Sequence, residues 1–283
     1  MTGAAPAAPR QAATVLLLRD DPQGLQVYFL RRPARSSFAA SAYVFPGGAV
    51  DPADYTFPIT ELAPAFDPSS VTRRMRTMTT DDASGKSGAG DVGGLRSASL
   101  AKALHIAAVR EVFEETGILI GTRADNTDLT SNDAGTLSAA RAELLAGADF
   151  ADILRTHDLR IAPERLAYVA HFITPEGEPR RYDTRFFAAT APPEQEPVHH
   201  AAEATASGWY TAAQALEMTA GEWLLMLPPT RIMCTEVCAH DTAESVIADL
   251  GSRDVDSILF GLDDVVNGRL PTTLPVAWPP PRA

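Results

Sequence analysis

The sequence predicts an α/β (α+β) fold, a mixed sheet held between helices, with further helices added at the C-terminal end. Three observations carry this. Short apolar runs rich in β-formers come in pairs joined by turn residues, and longer stretches with helical spacing separate them. The two kinds of segment mix without regular βαβ alternation. With 283 residues, 45% of them hydrophobic, the chain has material for a substantial core and reads as one domain spanning 1–283.

Residues 13–18 ("ATVLLL") and 25–30 ("LQVYFL"), separated by "RDDPQG", predict a hairpin or a pair of neighbouring strands. A strand-like piece, "SAYVFPGGAVDPAD", stops at Pro46, Gly47 and Gly48. Residues 52–99 then form a proline-rich segment followed by "DDASGKSGAGDVGG", and predict a long excursion, mobile and protease-sensitive around 81–94. Leu100, Leu104, Ala107, Ala108 and Val112 fall on one helical face and predict a helix over 99–116, with Ser99 as N-cap and Gly117 just past its end. Another helix is expected over 134–157. The stretch 165–190 predicts two antiparallel strands around the turn "PEGEP". Residues 211–283 read as a helical extension, with helices near 211–219, through "PPTRIMCTEVCAH" and at 242–250.

Composition narrows the function. A net charge of −12 argues against nucleic acid as a partner, since that surface needs a basic patch. No window approaches the roughly 18 apolar residues of a membrane span, and "MTGAAPAAPRQAA" lacks the pattern of a secretory signal. The expectation is a cytoplasmic protein with no membrane partner. Cys234 and Cys238, the only cysteines, are read as two reduced thiols, because a pair four residues apart makes a poor metal site and a weak crosslink.

The chemistry concentrates in "REVFEETGILIG", Arg110–Gly121. Glu111, Glu114 and Glu115 share one helix side at i, i+3 and i+4 and repel one another. They also occupy a last turn, where the helix dipole disfavours carboxylates. Such local conflicts are where functional sites tend to appear, although from the glutamates alone a solvated acidic face countered by Arg110 is the more frequent reading. A hard divalent cation, Mg²⁺ or Mn²⁺, would resolve it with oxygen ligands.

The same residues resemble the Nudix box, G-x5-E-x7-R-E-U-x-E-E-x-G-U with U aliphatic. Arg110, Glu111, Val112, Glu114, Glu115, Gly117 and Ile118 match its second half, and "FPGG" at Phe45–Gly48 matches its start. An uninterrupted box has thirteen residues between glycine and arginine; here 61 lie between Gly48 and Arg110, so the box carries an insertion within 52–99. The early glutamate is replaced by Asp54 when counted from Gly48 and by Lys102 when counted from Arg110; Asp54 is preferred. Glu203 precedes Trp209 by six residues, a spacing similar to that of a later metal-site glutamate in many Nudix enzymes, with Glu194 and Glu196 as neighbours. "RRYDTRFF" (180–187), "WLLMLPPT" (223–230) and the interrupted box resemble the coenzyme A diphosphatase-like branch.

The resemblance implies a Nudix α/β/α sandwich and metal-dependent hydrolysis of a pyrophosphate linkage in a small-molecule diphosphate. It implies Gly47 (through its carbonyl), Glu114, Glu115 and Glu203 as metal ligands. Glu111 would be the base or a further ligand, and Arg110 would hold the carboxylates. Arg32, Arg35 and Gly48 are the expected substrate-binding residues, although Ser37 and Ser41 stand where the branch's CoA signature has arginine and glycine. CoA or acyl-CoA leads as substrate, followed by dinucleoside polyphosphates and nucleotide sugars. The alternative is a non-catalytic Nudix-fold nucleotide-binding or regulatory protein. A homodimer is compatible with either.

Overall fold

The computed structural model describes residues 8–35, 39–72, 75, 92–200, 204–220, 225–261 and 270–274, without the side chains of 92–97. Strands are β1 (Arg10–Asp21), β2 (Gly24–Arg31), β3 (Tyr43–Val44), β4 (Gly47–Ala49), β5 (Gly121–Arg123), β6 (Leu159–Ile161), β7 (Ala167–Ile173), β8 (Tyr182–Thr190), β9 (Ala206–Thr211) and β10 (Ser257–Leu259). Helices are α1 (Pro52–Thr56), α2 (Ile59–Leu62), α3 (Pro68–Thr72), α4 (Val92–Thr116), α5 (Ala134–Leu145) and α6 (Phe150–Thr156). They continue with α7 (Ala212–Met218), α8 (Pro228–Val237) and α9 (Ala243–Ser252).

β1 is central. It runs parallel to β8 and antiparallel to β2 and β4, in a mixed sheet ordered β10-β7-β8-β1-β2-β3, with β4 on β1 and β9 on β2. Val15, Leu16, Leu17 and Leu18 are all fully buried, so the strand reads as a continuous apolar run because both faces are covered. Val15, Leu17 and Tyr28 pack with Leu104, Ala108 and Val112 of α4 on one face. Leu16, Leu18 and Phe29 pack with Ile232 and Met233 of α8 and Val246 and Leu250 of α9 on the other. This is the expected α/β/α sandwich. The C-terminal extension also supplies β10, parallel to β7.

Three expectations need correction. The excursion is folded where described: α1, α2 and α3 lie within it, because Phe57, Leu62 and Phe66 are buried against the α4 side of the core. Residues 76–91, with most of the 81–94 stretch, lie outside the described residues. The helix expected from Ser99 begins at Val92, so Ser99 is interior. Gly93 and Gly94 each cost a helix only about 1 kcal/mol, which cooperative extension from a buried helix outweighs. The 134–157 helix is two helices, broken at Gly147 (φ +88°) and restarted by Asp149, whose side chain caps Asp152 N.

Candidate active site

α4 ends as expected. Gly117 adopts φ +76° and its N–H reaches the Phe113 carbonyl at 2.9 Å, the left-handed stop that glycine tolerates without a Cβ penalty. Glu111, Glu114 and Glu115 are half-buried in the last turns. Between them and the preceding loop sits Arg110. Its Nη1 donates to Glu111 at 2.8 Å and lies 3.5 Å from Glu114. Its Nε and Nη2 grip Asp54 at 3.1 and 2.9 Å, and Nη2 also reaches the Ala49 carbonyl at 3.1 Å. Burial by itself would lower the guanidinium pKa, but the Asp54 hydrogen bonds and the Glu111 charge outweigh it and raise it. Arg110 is therefore a fixed cation.

The loop side is built by glycine and by a short capped helix. β4 pairs with β1 so closely that a Cβ on Gly47 would lie 2.3 Å from the Ala13 carbonyl oxygen. Gly47 N donates to Glu115 Oε2 at 2.8 Å. A Cβ on Gly48 would lie 2.4 Å from the Glu111 carboxylate carbon, so only glycine lets that carboxylate lie against the backbone. Asp51 caps α1, and Asp54 closes the reciprocal bond by accepting from Asp51 N at 2.8 Å. Asp54 is 2% exposed. The structure thus brings together Gly47, Gly48, Asp54, Arg110, Glu111, Glu114 and Glu115: three carboxylates around one guanidinium, and a fourth, Glu115, on the glycine loop.

Other expected residues stand apart. Arg32 follows β2 in alternation with Tyr28 and Leu30, whose side chains face α4, and its Nε is buried with no hydrogen-bond partner among the described residues. Arg35 is exposed and makes no described ion pair. Glu194 is held by Ser131, whose N and Oγ both reach it at 3.1 Å, and Glu196 is exposed. Glu203 and Ser37 lie outside the described residues. Trp209 stacks edge-on against Tyr28 and carries the Arg19 guanidinium 4.4 Å from its ring centre. Among the described residues, no three His, Cys, Asp or Glu side chains are already gathered in a metal-holding group; the helix carboxylates are turned to Arg110 and Gly47 instead.

Reading the sequence missed Arg141, which donates from Nε to the Glu114 carbonyl at 2.9 Å and from Nη1 to the Val198 carbonyl at 2.6 Å. It caps the carbonyl end of α4. Also missed were Gln11, His171, Asp183 and Arg185, a buried polar group in which only the "RYDT" string gave a signal. A shallow concavity of ≈ 440 Å³ beside Trp209 and Tyr210 contains none of the helix carboxylates.

The α/β/α sandwich and a loop–helix unit carrying this set of carboxylates and one arginine define the class of Nudix hydrolases, enzymes that act on acid anhydrides in phosphorus-containing compounds. The family model of the NUDT19 Nudix domain matches residues 6–234, and the chain belongs to that family. It is 28% identical to the acyl-coenzyme A diphosphatase NUDT19 of Gallus gallus, over 95% of this chain and 76% of that protein. It is likewise 28% identical to the protein of that name from Xenopus laevis, over 75% of this chain and 60% of that one. The crystal structure of a Nudix hydrolase from Alicyclobacillus acidocaldarius is similar, with a TM-score of 0.61 and 25% identity over 85% of this chain and 96% of that chain. No described helix is long and apolar enough to cross a membrane.

Proposed function

We propose that the protein hydrolyses the pyrophosphate linkage of CoA or acyl-CoA with the help of Mg²⁺ or Mn²⁺. The observation that carries the hydrolytic reading is the grouping of Asp54, Glu111 and Glu114 around Arg110, with Glu115 beside them, pinned to the glycine loop by the Asp54–Arg110 and Gly47–Glu115 contacts. The donor set is all oxygen and carries excess negative charge, which fits a hard divalent cation. Glu114, Glu115, the Gly47 carbonyl and Glu203 would hold it. When bound, the ion supplies charge neutralisation at the phosphates and an acidified water.

The chain's own residues do the rest. Glu111, placed against Gly48, takes the proton of the attacking water or serves a second ion. Arg110 keeps Glu111 and Glu114 from spreading apart, and Asp54 keeps Arg110 from leaving them. Water adds its hydroxyl to one phosphorus and its proton goes to the bridging oxygen that departs with the other. From CoA the products are adenosine 3′,5′-bisphosphate and 4′-phosphopantetheine.

The CoA assignment is supported by the names of the chicken and frog relatives and by the buried Nε of Arg32, which has no partner among the described residues. Arg32, with Arg35 beside it, would grip the 3′-phosphate through charge-assisted hydrogen bonds. Removing that phosphate should lower kcat/KM by roughly ten- to a hundredfold, from about 1.5–3 kcal/mol for a charged hydrogen bond. Arg32→Ala or Arg35→Ala should erase most of the difference. Equal cleavage of CoA and dephospho-CoA, with a nucleotide sugar or dinucleoside polyphosphate cut faster, would remove CoA as the substrate.

One observation favours a second reading, a nucleotide-binding or regulatory protein without turnover: the helix carboxylates are engaged by Arg110 and Gly47. A Mg²⁺- or Mn²⁺-supported turnover assay across these diphosphates separates the two.

A further inference from the structure

The string Arg180–Phe187 marks kinship, yet hydrolysis as derived above assigns it no task. Its Asp183 and Arg185 point to the α4 side of the sheet, as Phe187 does, and are 4% and 1% exposed. Asp183 accepts from Gln11 Nε2 at 2.9 Å, from Arg185 Nη1, and from Nε2 of the fully buried His171 across the β7–β8 pair. The same Arg185 Nη1 donates to Gln11 Oε1 at 2.6 Å. Burial alone would raise the Asp183 carboxyl, but the His171 bond and the Arg185 charge hold it down at about 2. Burial pushes His171 down, although the Asp183 bond opposes it. With Nε2 on Asp183, Nδ1 has no partner among the described residues.

Stability does not explain such a group. Apolar residues of the same volume often serve as well as a buried ion pair, and here His171 Nδ1 and Arg185 Nε are both left without partners among the described residues, each at a cost. What the group does hold is Gln11, by both ends of its amide. The Gln11 backbone carbonyl accepts Val50 N at 2.9 Å. The next residue, Ala12, pairs with Ala49, whose carbonyl receives Arg110 Nη2. Val50 leads directly into Asp51 and the capped turn that presents Asp54 to Arg110. The buried group and the site are thus joined through the start of β1, β4 and the capped turn of α1.

We propose that Gln11, Asp183 and Arg185 are positioning residues for the hydrolysis. They lock the start of β1 and thereby the loop Gly47–Asp54, so that Asp54, Arg110, Glu111 and Glu114 keep one arrangement. This rests on the reading of that arrangement as the hydrolytic site.

The test uses the full chain and the variants Gln11→Met, Arg185→Met, Arg185→Lys and Asp54→Asn. Gln11 is half-buried and carries the test should Arg185→Met fail to fold. With CoA and Mg²⁺, Gln11→Met should lower kcat by on the order of ten- to a hundredfold, as small misplacements of reacting groups do, with KM within about twofold. Arg185→Lys should recover part of what Arg185→Met loses. Gln11→Met combined with Asp54→Asn should lose less than the product of the two single losses, because both act on one loop. Amide hydrogen exchange should quicken at Gly47–Asp54 while β7 and α9 keep their protection. An unchanged kcat, a loss that follows only the folded fraction, or losses that multiply independently would each overturn the proposal. If wild type cleaves no diphosphate, the functional reading fails by itself. The exchange pattern then decides the positioning claim alone, and unchanged protection at Gly47–Asp54 refutes it.

Discussion

Asp54 accepts three hydrogen bonds, two from Arg110 and one from Asp51 N, at 3.1, 2.9 and 2.8 Å. Asp54→Asn would turn an amide N–H₂ toward donors and leave the guanidinium, 13% exposed, short of its main counter-charge. Breaking a buried pair from one side costs about 3–5 kcal/mol; the Glu111 and Glu114 contacts that remain reduce this to roughly 2–3 kcal/mol by the same reasoning. Asp54→Glu keeps the charge but adds a methylene at a 2%-exposed position, an overpacking penalty of about 1–3 kcal/mol. Urea unfolding should rank wild type above both variants, and Asp54→Glu should retain more turnover than Asp54→Asn. A ranking of Asn above Glu in turnover would show that the charge is not what matters. Glu115→Gln is a different case, because its amide carbonyl can still accept Gly47 N. The fold should hold, Mn²⁺ binding by calorimetry should weaken, and turnover should drop on the order of a hundredfold or more through lost charge stabilisation. Wild-type activity in that variant would place the site elsewhere.

α4 shows what could be read in the sequence and what could not. The glutamate triplet, its arginine and the Gly117 stop were visible as a local conflict at fixed spacing, and Asp54 was visible through register from Gly48. The start at Val92 was not, because glycine and serine there weaken every local signal. Nor were α1–α3 visible: Phe57, Leu62 and Phe66 are spaced irregularly, and their burial against α4 is a tertiary fact that overrides a proline-rich composition. α4 also hides a histidine. His105 is fully buried between Phe66 and Phe187, and its Nδ1 is 2.7 Å from the Ala101 carbonyl, to which it donates. Burial, only partly offset by that bond, pushes its pKa from 6.5 down to about 4. Below pH 6.5 the unfolded chain takes up a proton that the folded one refuses, so stability falls as pH drops from about 6.5 toward 4. The full loss is about 3 kcal/mol. His171 contributes a loss of the same sign. His105→Phe preserves the ring stack and should flatten the slope between pH 6.5 and 4.5 without abolishing it, measured by urea unfolding at each pH. An unchanged slope would mean that His105 is hydrated. Asp183 acts lower, giving up its stabilisation as pH falls from about 3.9 toward its folded value near 2.

At the scale of the whole molecule, the sheet is a wall between two apolar layers, and the side that carries the candidate site cannot be rigid unless the other side is filled. The family match stops at residue 234, yet α9, β10 and the residue just after it supply Val246, Leu250, Ile258 and Phe260, all nearly or fully buried against Leu16, Leu18, Phe172 and Phe186. Ala243 N is further tied to Asp20 at 2.8 Å, so the start of α9 is fixed to the end of β1. Each of those four side chains contributes about 1.5–3 kcal/mol on burial. Together they match much of the roughly 5–15 kcal/mol by which a domain is stable. A chain ended after His240 keeps α8 and every residue of the candidate site but uncovers β7, β8 and β1 on that face. It should lose its cooperative thermal transition, bind a hydrophobic dye, and show no Mg²⁺-dependent turnover. Leu250→Ala grades the same effect without removing backbone: a fully buried leucine truncated to alanine costs about 2–5 kcal/mol, while KM for CoA should stay unchanged in the folded fraction. If the shortened chain instead melts cooperatively and turns over at the wild-type rate, the second layer is an appendage, and the rigidity of the Gly47–Asp54 loop must come from the α4 side alone.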